Sequence, residues 1–316
     1  MINYDDCGDI VKHFLIYTLT IKGRSRNTVD SYYHDLKLFF KFMITHFEQG
    51  IEFDNANAKT ADLELIKRIT QNDIYEFLYF TSRKRKNNAT TRARKVSTLR
   101  GFFNYLTHNQ RLLLENPVEN LDSPKLKTSL PKHLNLDQSK QMLTNVAGKF
   151  AERDYCIITL FLNCGMRLSE LVSLNLADVA TNPIKVTGKG DKERLVYLNA
   201  ACQDAINDYL KERHAKKSAN ALFLTQAGTR ISKRRVQEIV DSNFKKNNMT
   251  GFSVHKLRHT AATLMFQHGN VDLRTLQEVL GHKNLATTQI YTHVSNKQLK
   301  KASLANPLSE VKRDRK

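Results

Sequence analysis

The chain has 316 residues, 41% of them hydrophobic, with 50 Lys and Arg against 31 Asp and Glu, a formal net charge of +19 and a pI of about 9.7. That length supplies one large or two ordinary domains with a normal core, and the charge calls for a polyanionic partner, most simply nucleic acid. No apolar run reaches the ~18 residues of a membrane span, and Asp5, Asp6 and Asp9 do not suit a secretory signal.

Residues 9–47 show helical periodicity, interrupted at Lys22-Gly-Arg-Ser-Arg26. Val29, Tyr32, Tyr33, Leu36, Phe39, Phe40 and Met43 fall on one helical stripe and read as core rather than as a surface for stacking bases. Residues 48–68 are polar and mixed, so a loop or insertion is expected there. Thr70 caps a helix running to Phe80, with Asp73 three residues on. From Phe77 to Leu114 there are nine Lys or Arg and no acid. Within it, Val96, Leu99, Phe103 and Leu106 form an apolar helical stripe, and Arg92, Lys95 and Arg100 are candidates for positioning contacts to DNA phosphates.

Residues 116–133 hold three of the five prolines and mark the domain boundary. We divide the chain into an N-terminal helical domain (1–121), a linker (122–133) and a C-terminal domain (134–316). Both halves are basic: residues 1–130 carry 20 basic and 15 acidic groups, and residues 131–316 carry 30 and 16.

Beyond the linker, Asp137 is expected to cap a helix to about Ala147, and Glu152–Cys164 reads as a buried helix ended by Gly165. Arg167 then stands just past a glycine turn, at the mouth of the next helix. Ile184–Thr187 and Arg194–Leu198 alternate like strands around Gly188-Lys-Gly-Asp-Lys192, a hairpin tip presenting Lys189 and Lys192. Asp204–Lys217 is helical, Leu222–Leu224 is a short strand, and Ser232–Phe244 is a basic helix carrying Arg234 as a further DNA contact. The four cysteines (Cys7, Cys156, Cys164, Cys202) have no C-x-x-C spacing and read as reduced, buried thiols of a cytoplasmic protein.

Ser253–Gly269 reads as one helix with Ser253 as cap and Gly269 as stop. His255, Arg258 and His259 share a face near its amino end, and Leu257, Ala261, Leu264 and Met265 lie roughly opposite. Two imidazoles and a guanidinium at a helix amino end suit a phosphate. A metal suits them less, because the arginine repels a cation. Asp272–Leu280 is a short helix ended by Gly281-His282, and another begins at Leu285 and carries Tyr291. The tail from Ser295 is helical at first, with Leu299, Ala302 and Leu304 apolar.

Gly-Met-Arg167-Leu-Ser-Glu-Leu, Gly-Lys189-Gly-Asp-Lys-Glu-Arg, His255-Lys-Leu-Arg258-His, Leu-Gly-His282 and Tyr291 occur in one order, each on a suitable element. Together they resemble the tyrosine recombinases, or phage integrase family, most closely the Xer-type members. The resemblance covers about residue 134 to the end, and residues 1–121 resemble the family's helical core-binding domain more loosely.

The resemblance implies a mainly α fold: a helical, SAM-like core-binding domain followed by a mixed α+β catalytic domain with a small antiparallel hairpin. It implies that Tyr291 attacks a DNA phosphate to give a 3′-phosphotyrosine, with His255 as base and Lys189 as acid for the leaving 5′-oxygen. Arg167 and Arg258 would clamp the nonbridging oxygens, and His282 would donate to the transition state. Tyrosine titrates near ~10 unperturbed, so it needs such help to lose its proton. No metal, ATP or other cofactor is implied, because the phosphotyrosine conserves the bond for religation. The implied partners are double-stranded DNA with specific recombination sites and a homo-tetramer, or a partner recombinase, passing through a Holliday junction. Chromosome dimer resolution and mobile-element integration or excision both fit. Two other readings remain open: a non-catalytic architectural DNA-binding protein, and a type IB topoisomerase using the same chemistry.

Overall fold

A computed structural model describes residues 4–48, 50–125, 132–187, 193–214, 220–268 and 272–281. The chain forms two compact units, Met1–Thr128 and Ser129–Lys316. The fold is mainly helical with one small antiparallel sheet, as expected.

The first unit contains α1 (Asp9–Thr20), α2 (Arg26–Phe47), α3 (Leu63–Arg68), α4 (Gln71–Arg83) and α5 (Ala89–Asn104), which runs into a π-turn at Tyr105–Asn109. The Ser25 side chain caps α2, and Thr70 with Asp73 forms a reciprocal capping box on α4. The aromatic stripe of α2 is core, with Phe39, Phe40, Phe77, Phe102 and Phe103 fully buried. Phe39 meets Phe77 edge-on with ring centroids 5.0 Å apart, and Phe40 meets Phe102 at 5.6 Å.

Residues 48–68 are not simply a loop. Asp62 accepts from the Leu65 N–H at 2.8 Å and starts α3, while Ala56, Ala58, Ala61, Leu65 and Ile66 are buried in the first unit's core. A six-residue helix is too short to show periodicity, and burial of its apolar face holds it.

The second unit contains α6 (Leu136–Thr144), α7 (Ala151–Cys164), α8 (Leu168–Ser173), β1 (Ile184–Thr187), β2 (Glu193–Val196), α9 (Ala200–Glu212), α10 (Lys233–Lys246), α11 (Val254–His268) and α12 (Leu273–Leu280). Asn135, boxed with Gln138, caps α6 in place of Asp137, and Asn199 caps α9, which starts at Ala200, four residues before the expected Asp204. β1 and β2 pair antiparallel, Ile184 opposite Val196 and Thr187 opposite Glu193. Leu222–Leu224 contributes isolated bridges at its flanks, Asn175 to Ala221 and Leu224 to Arg230, in place of a strand. α7 is buried along most of its length and packs on α9 and α11. All four cysteines are buried and unbridged, and no described helix is long and apolar enough to cross a membrane.

Candidate active site

α7 ends at Gly165, whose φ of +58° reverses the chain into the next helix. A side chain there would also crowd Leu280, with a Cβ 3.0 Å from Leu280 Cδ2. The turn delivers Arg167 to the start of α8. Glu170, one helical turn on, accepts from the Arg167 N–H at 2.8 Å and from its Nη1 at 2.7 Å. Arg167 Nη2 donates to the Gly281 carbonyl at 2.8 Å. These bonds use two of the five guanidinium N–H groups, and the described residues accept no others. The side chain keeps 31% of its exposure.

Glu170 is fully buried and also receives Arg194 of β2, with Nη2 at 2.8 Å and Nε at 3.4 Å. Burial pushes its carboxyl upward. The bonds and charge of Arg194, then the hydrogen bonds from Arg167, outweigh this and hold it below the ordinary carboxylate range.

Arg258 is buried rather than presented on an open helix face. Its Nη1 donates to the Gly165 carbonyl at 2.5 Å and its Nη2 to the Leu280 carbonyl. The expected alignment of His255, Arg258 and His259 on one outward face therefore needs correction, because α11 packs against α7 through the side that carries Arg258. Leu257 and Ala261 are buried as expected, whereas Leu264 and Met265 are half-buried.

Arg167, His255 and Arg258 nevertheless line one cleft of about 400 Å³, together with Lys233 and Gln237 of α10 and Ser253. Burial first, then the Arg258 and Arg167 charges, lowers the His255 imidazole below its ordinary range, which favours the neutral, proton-accepting form. His259 meets His255 edge-on, with ring centroids 4.6 Å apart. Burial, followed by the His255 and Arg258 charges, depresses it to about 4.

Lys189, Lys192, His282 and Tyr291 lie outside the described residues, as do Gly269 and the tail with Leu299, Ala302 and Leu304. Gly281, adjacent to His282 in the chain, closes α12 with a φ of +63°.

The α5 cations expected to meet DNA differ in exposure. Lys95 is buried rather than presented at the surface, its ammonium paired with Asp35 Oδ1 at 2.7 Å. Arg92 is half-buried and donates to the Asn87 carbonyl at 2.5 Å and to Ser82 at 3.3 Å. Arg100 is half-buried and bonds Ser123 Oγ at 3.0 Å and the Leu121 carbonyl. Both arginines tie neighbouring chain together. Arg94, with 44% of its side chain exposed and one side held by Asp35, is the more accessible cation of this helix. On α10, Arg234 is 90% exposed with Glu238 3.2 Å away.

Glu170, Arg194, Lys233 and Gln237 escaped the sequence reading as site residues. Glu170 and Arg194 stand inside the quoted motifs, where an acid three residues after Arg167 was the available signal. Nothing in the local pattern distinguishes Lys233 and Gln237 from Arg234.

Comparison with known proteins follows the same division. Residues 132–298 match the phage integrase family, and residues 11–110 match the phage integrase N-terminal SAM-like domain. A protein of Caldanaerobacter subterraneus subsp. tengcongensis named tyrosine recombinase XerC is 48% identical over 308 residues, covering 95% of this chain and 87% of its own. Tyrosine recombinase XerD of Listeria innocua is 32% identical over 303 residues, 93% of this chain and 96% of its own. The fold is similar to that of a XerH site-specific recombinase bound to a palindromic difH substrate in a post-cleavage complex, with a TM-score of 0.69 and 24% identity, covering 93% and 84% of the two chains.

Proposed function

This chain belongs to the phage integrase family as a Xer-type tyrosine recombinase, and from that premise we propose how its residues cut and rejoin DNA at specific sites. The observation that carries the proposal is the convergence of Arg167, at the start of α8, with His255 and Arg258 of α11 on one cleft.

A phosphodiester in that cleft would place its nonbridging oxygens against the two guanidiniums. Arg167 retains N–H groups that no described residue uses, and a planar fork matches two phosphate oxygens. Negative charge builds on those oxygens in the phosphorane-like transition state, so fixed cations stabilise it more than the ground state. Holding both guanidiniums by backbone carbonyls removes most of the reorganisation that charge development would otherwise require.

Tyr291 is the proposed nucleophile. Its phenolic oxygen forms a bond to phosphorus, the bond from phosphorus to the 5′-oxygen breaks, and a 3′-phosphotyrosine results. His255, kept neutral by its surroundings, takes the phenolic proton. Lys189 protonates the departing 5′-oxygen, and His282 donates a further hydrogen bond. Attack by a 5′-hydroxyl from another strand reverses the step, releases Tyr291 and joins the new strand. No metal, nucleotide or other cofactor takes part in this scheme.

The first unit, with residues 1–121 as its helical core-binding domain, and the second, with residues 134–316 as its catalytic domain, would both bind DNA through their positive charge, with residues 122–133 as linker. On the duplex, Arg94, Lys192, Lys233 and Arg234 are the proposed phosphate contacts, and Gln237 faces the reacting group's cleft. Two sites would synapse through a tetramer of this chain or with a partner recombinase in the cytoplasm, passing through a Holliday junction. The tail residues Leu299, Ala302 and Leu304 would dock on a neighbouring subunit.

The test is covalent capture. DNA attached to the protein in cells identifies the site, and a nicked duplex carrying that sequence should then accumulate a covalent complex with the wild-type protein. Capture by the wild type and none by Tyr291→Phe supports the reading, whereas cleavage by Tyr291→Phe contradicts it.

A further inference from the structure

We infer that Arg194 is a positioning residue for cleavage: it fixes both acceptors that orient the Arg167 guanidinium. The inference rests on the proposed role of Arg167 as a phosphate clamp.

Arg167 is oriented by two bonds, from Nη1 to Glu170 Oε1 and from Nη2 to the Gly281 carbonyl. Arg194 engages the neighbourhood of each. Its Nη2 and Nε donate to the Glu170 carboxylate, and its Nη1 donates to the Val279 carbonyl in the last turn of α12. Its methylene stem packs under the glycine that ends that helix, so closely that a Cβ at Gly281 would lie 2.8 Å from Arg194 Cδ. The Arg194 side chain is 9% exposed and its carboxylate partner is fully buried.

This geometry separates two jobs. Arg167 lines the cleft, whereas Arg194 is not among the residues lining it. Arg194 acts through the carboxylate and the carbonyl turn. Without it, Glu170 keeps Arg167 as its only described guanidinium partner, and the end of α12 loses the side chain beneath it. The Arg167 fork would then shift relative to a phosphate, and displacements near 1 Å can cost about 100-fold in rate. Lysine offers one nitrogen in place of a fork and cannot span the Glu170 carboxylate and the Val279 carbonyl together. Charge alone therefore does not replace Arg194.

The experiment uses the full chain and a nicked duplex carrying the sequence to which the wild-type protein becomes covalently attached in cells. The scissile linkage is either the ordinary phosphodiester or a neutral methylphosphonate, which lacks the pair of charged nonbridging oxygens. Arg194→Ala and Arg194→Lys are each expected to slow covalent-complex formation on the phosphodiester by about 100-fold while DNA binding in a gel shift is retained. Most of that loss should disappear on the methylphosphonate, where a correctly oriented guanidinium fork matters less. A merely structural role would slow both substrates alike, and that result overturns the inference. A wild-type rate for either variant on the phosphodiester also overturns it. If Arg194→Ala melts below the assay temperature, Arg194→Lys carries the same comparison. Failure of the wild type to form any covalent complex would instead overturn the catalytic reading itself.

Discussion

The Arg167 side chain donates to the carbonyl of Gly281, 114 residues further along the chain, at 2.8 Å. The bond joins the turn after α7 to the end of α12, immediately before His282 in the chain. Gly281 holds a φ of +63° and faces Arg194 without room for a Cβ. Gly281→Ala therefore meets both a backbone and a steric penalty. We expect a loss of about 1–2 kcal/mol in stability from the left-handed conformation alone, read by urea unfolding, and slower cleavage from displacement of the carbonyl that orients Arg167.

Glu170 carries two guanidiniums on one buried carboxylate. Glu170→Gln keeps the shape but leaves two cations short of their counter-charge. Breaking a buried ion pair by removing one partner costs about 3–5 kcal/mol, and a loss toward the lower end is expected because Arg167 is part-exposed. A variant as stable as the wild type in urea would show that the carboxylate is dispensable. The lowered folded-state pKa of Glu170 fixes the pH sense. Its contribution is present above the unfolded carboxyl value and declines as pH falls through the folded one.

In the first unit, Asp35 is buried and receives Lys95 at 2.7 Å and Thr98 Oγ1 at 2.9 Å, with Arg94 on the same carboxylate. Lys95→Met is expected to destabilise the protein by about 3 kcal/mol while leaving the salt dependence of DNA binding unchanged. Arg94→Ala should do the reverse in binding, reducing the slope of log affinity against log salt by about 1. Equal slopes for Arg94→Ala and the wild type would remove Arg94 from the DNA contacts.

Much of this architecture is written in local sequence. The Thr70–Asp73 capping box, the aromatic stripe of α2 and the glycine turn that delivers Arg167 all depend on residues a few positions apart. The misread features depend on distant partners. Lys95 looks like a surface cation until Asp35, 60 positions earlier, folds against it. Arg258 looks like an outward guanidinium until the carbonyls of Gly165 and Leu280 close around it. Lys233 and Gln237 reach the cleft because α10 packs beside α8 and α11, which no local pattern encodes. Arg194 has both its partners on other elements, so its motif position gave no indication of its task.

His259 is depressed to about 4 by burial and by the neighbouring His255, Arg258, Lys256 and His133. The folded protein thus binds fewer protons there than the unfolded chain, whose histidine titrates near ~6.5. The contribution is present above that unfolded value and is lost as pH falls through the folded one. Allowing for a half-exposed ring, stability should fall by on the order of 1–2 kcal/mol between about pH 6.5 and pH 4. His259→Gln should flatten this part of the profile in urea titrations, and an unchanged profile would assign the acid sensitivity to other groups.

The most direct measurement is the identity of the residue joined to DNA. Wild-type protein trapped on a nicked duplex carrying its cellular attachment sequence, digested and analysed by mass spectrometry, should carry the nucleotide on the phenolic oxygen of Tyr291, with Arg167→Ala giving far less adduct. An adduct on any other residue, or full adduct formation by Arg167→Ala, would contradict a single phosphate-binding cleft built around Arg167, His255 and Arg258.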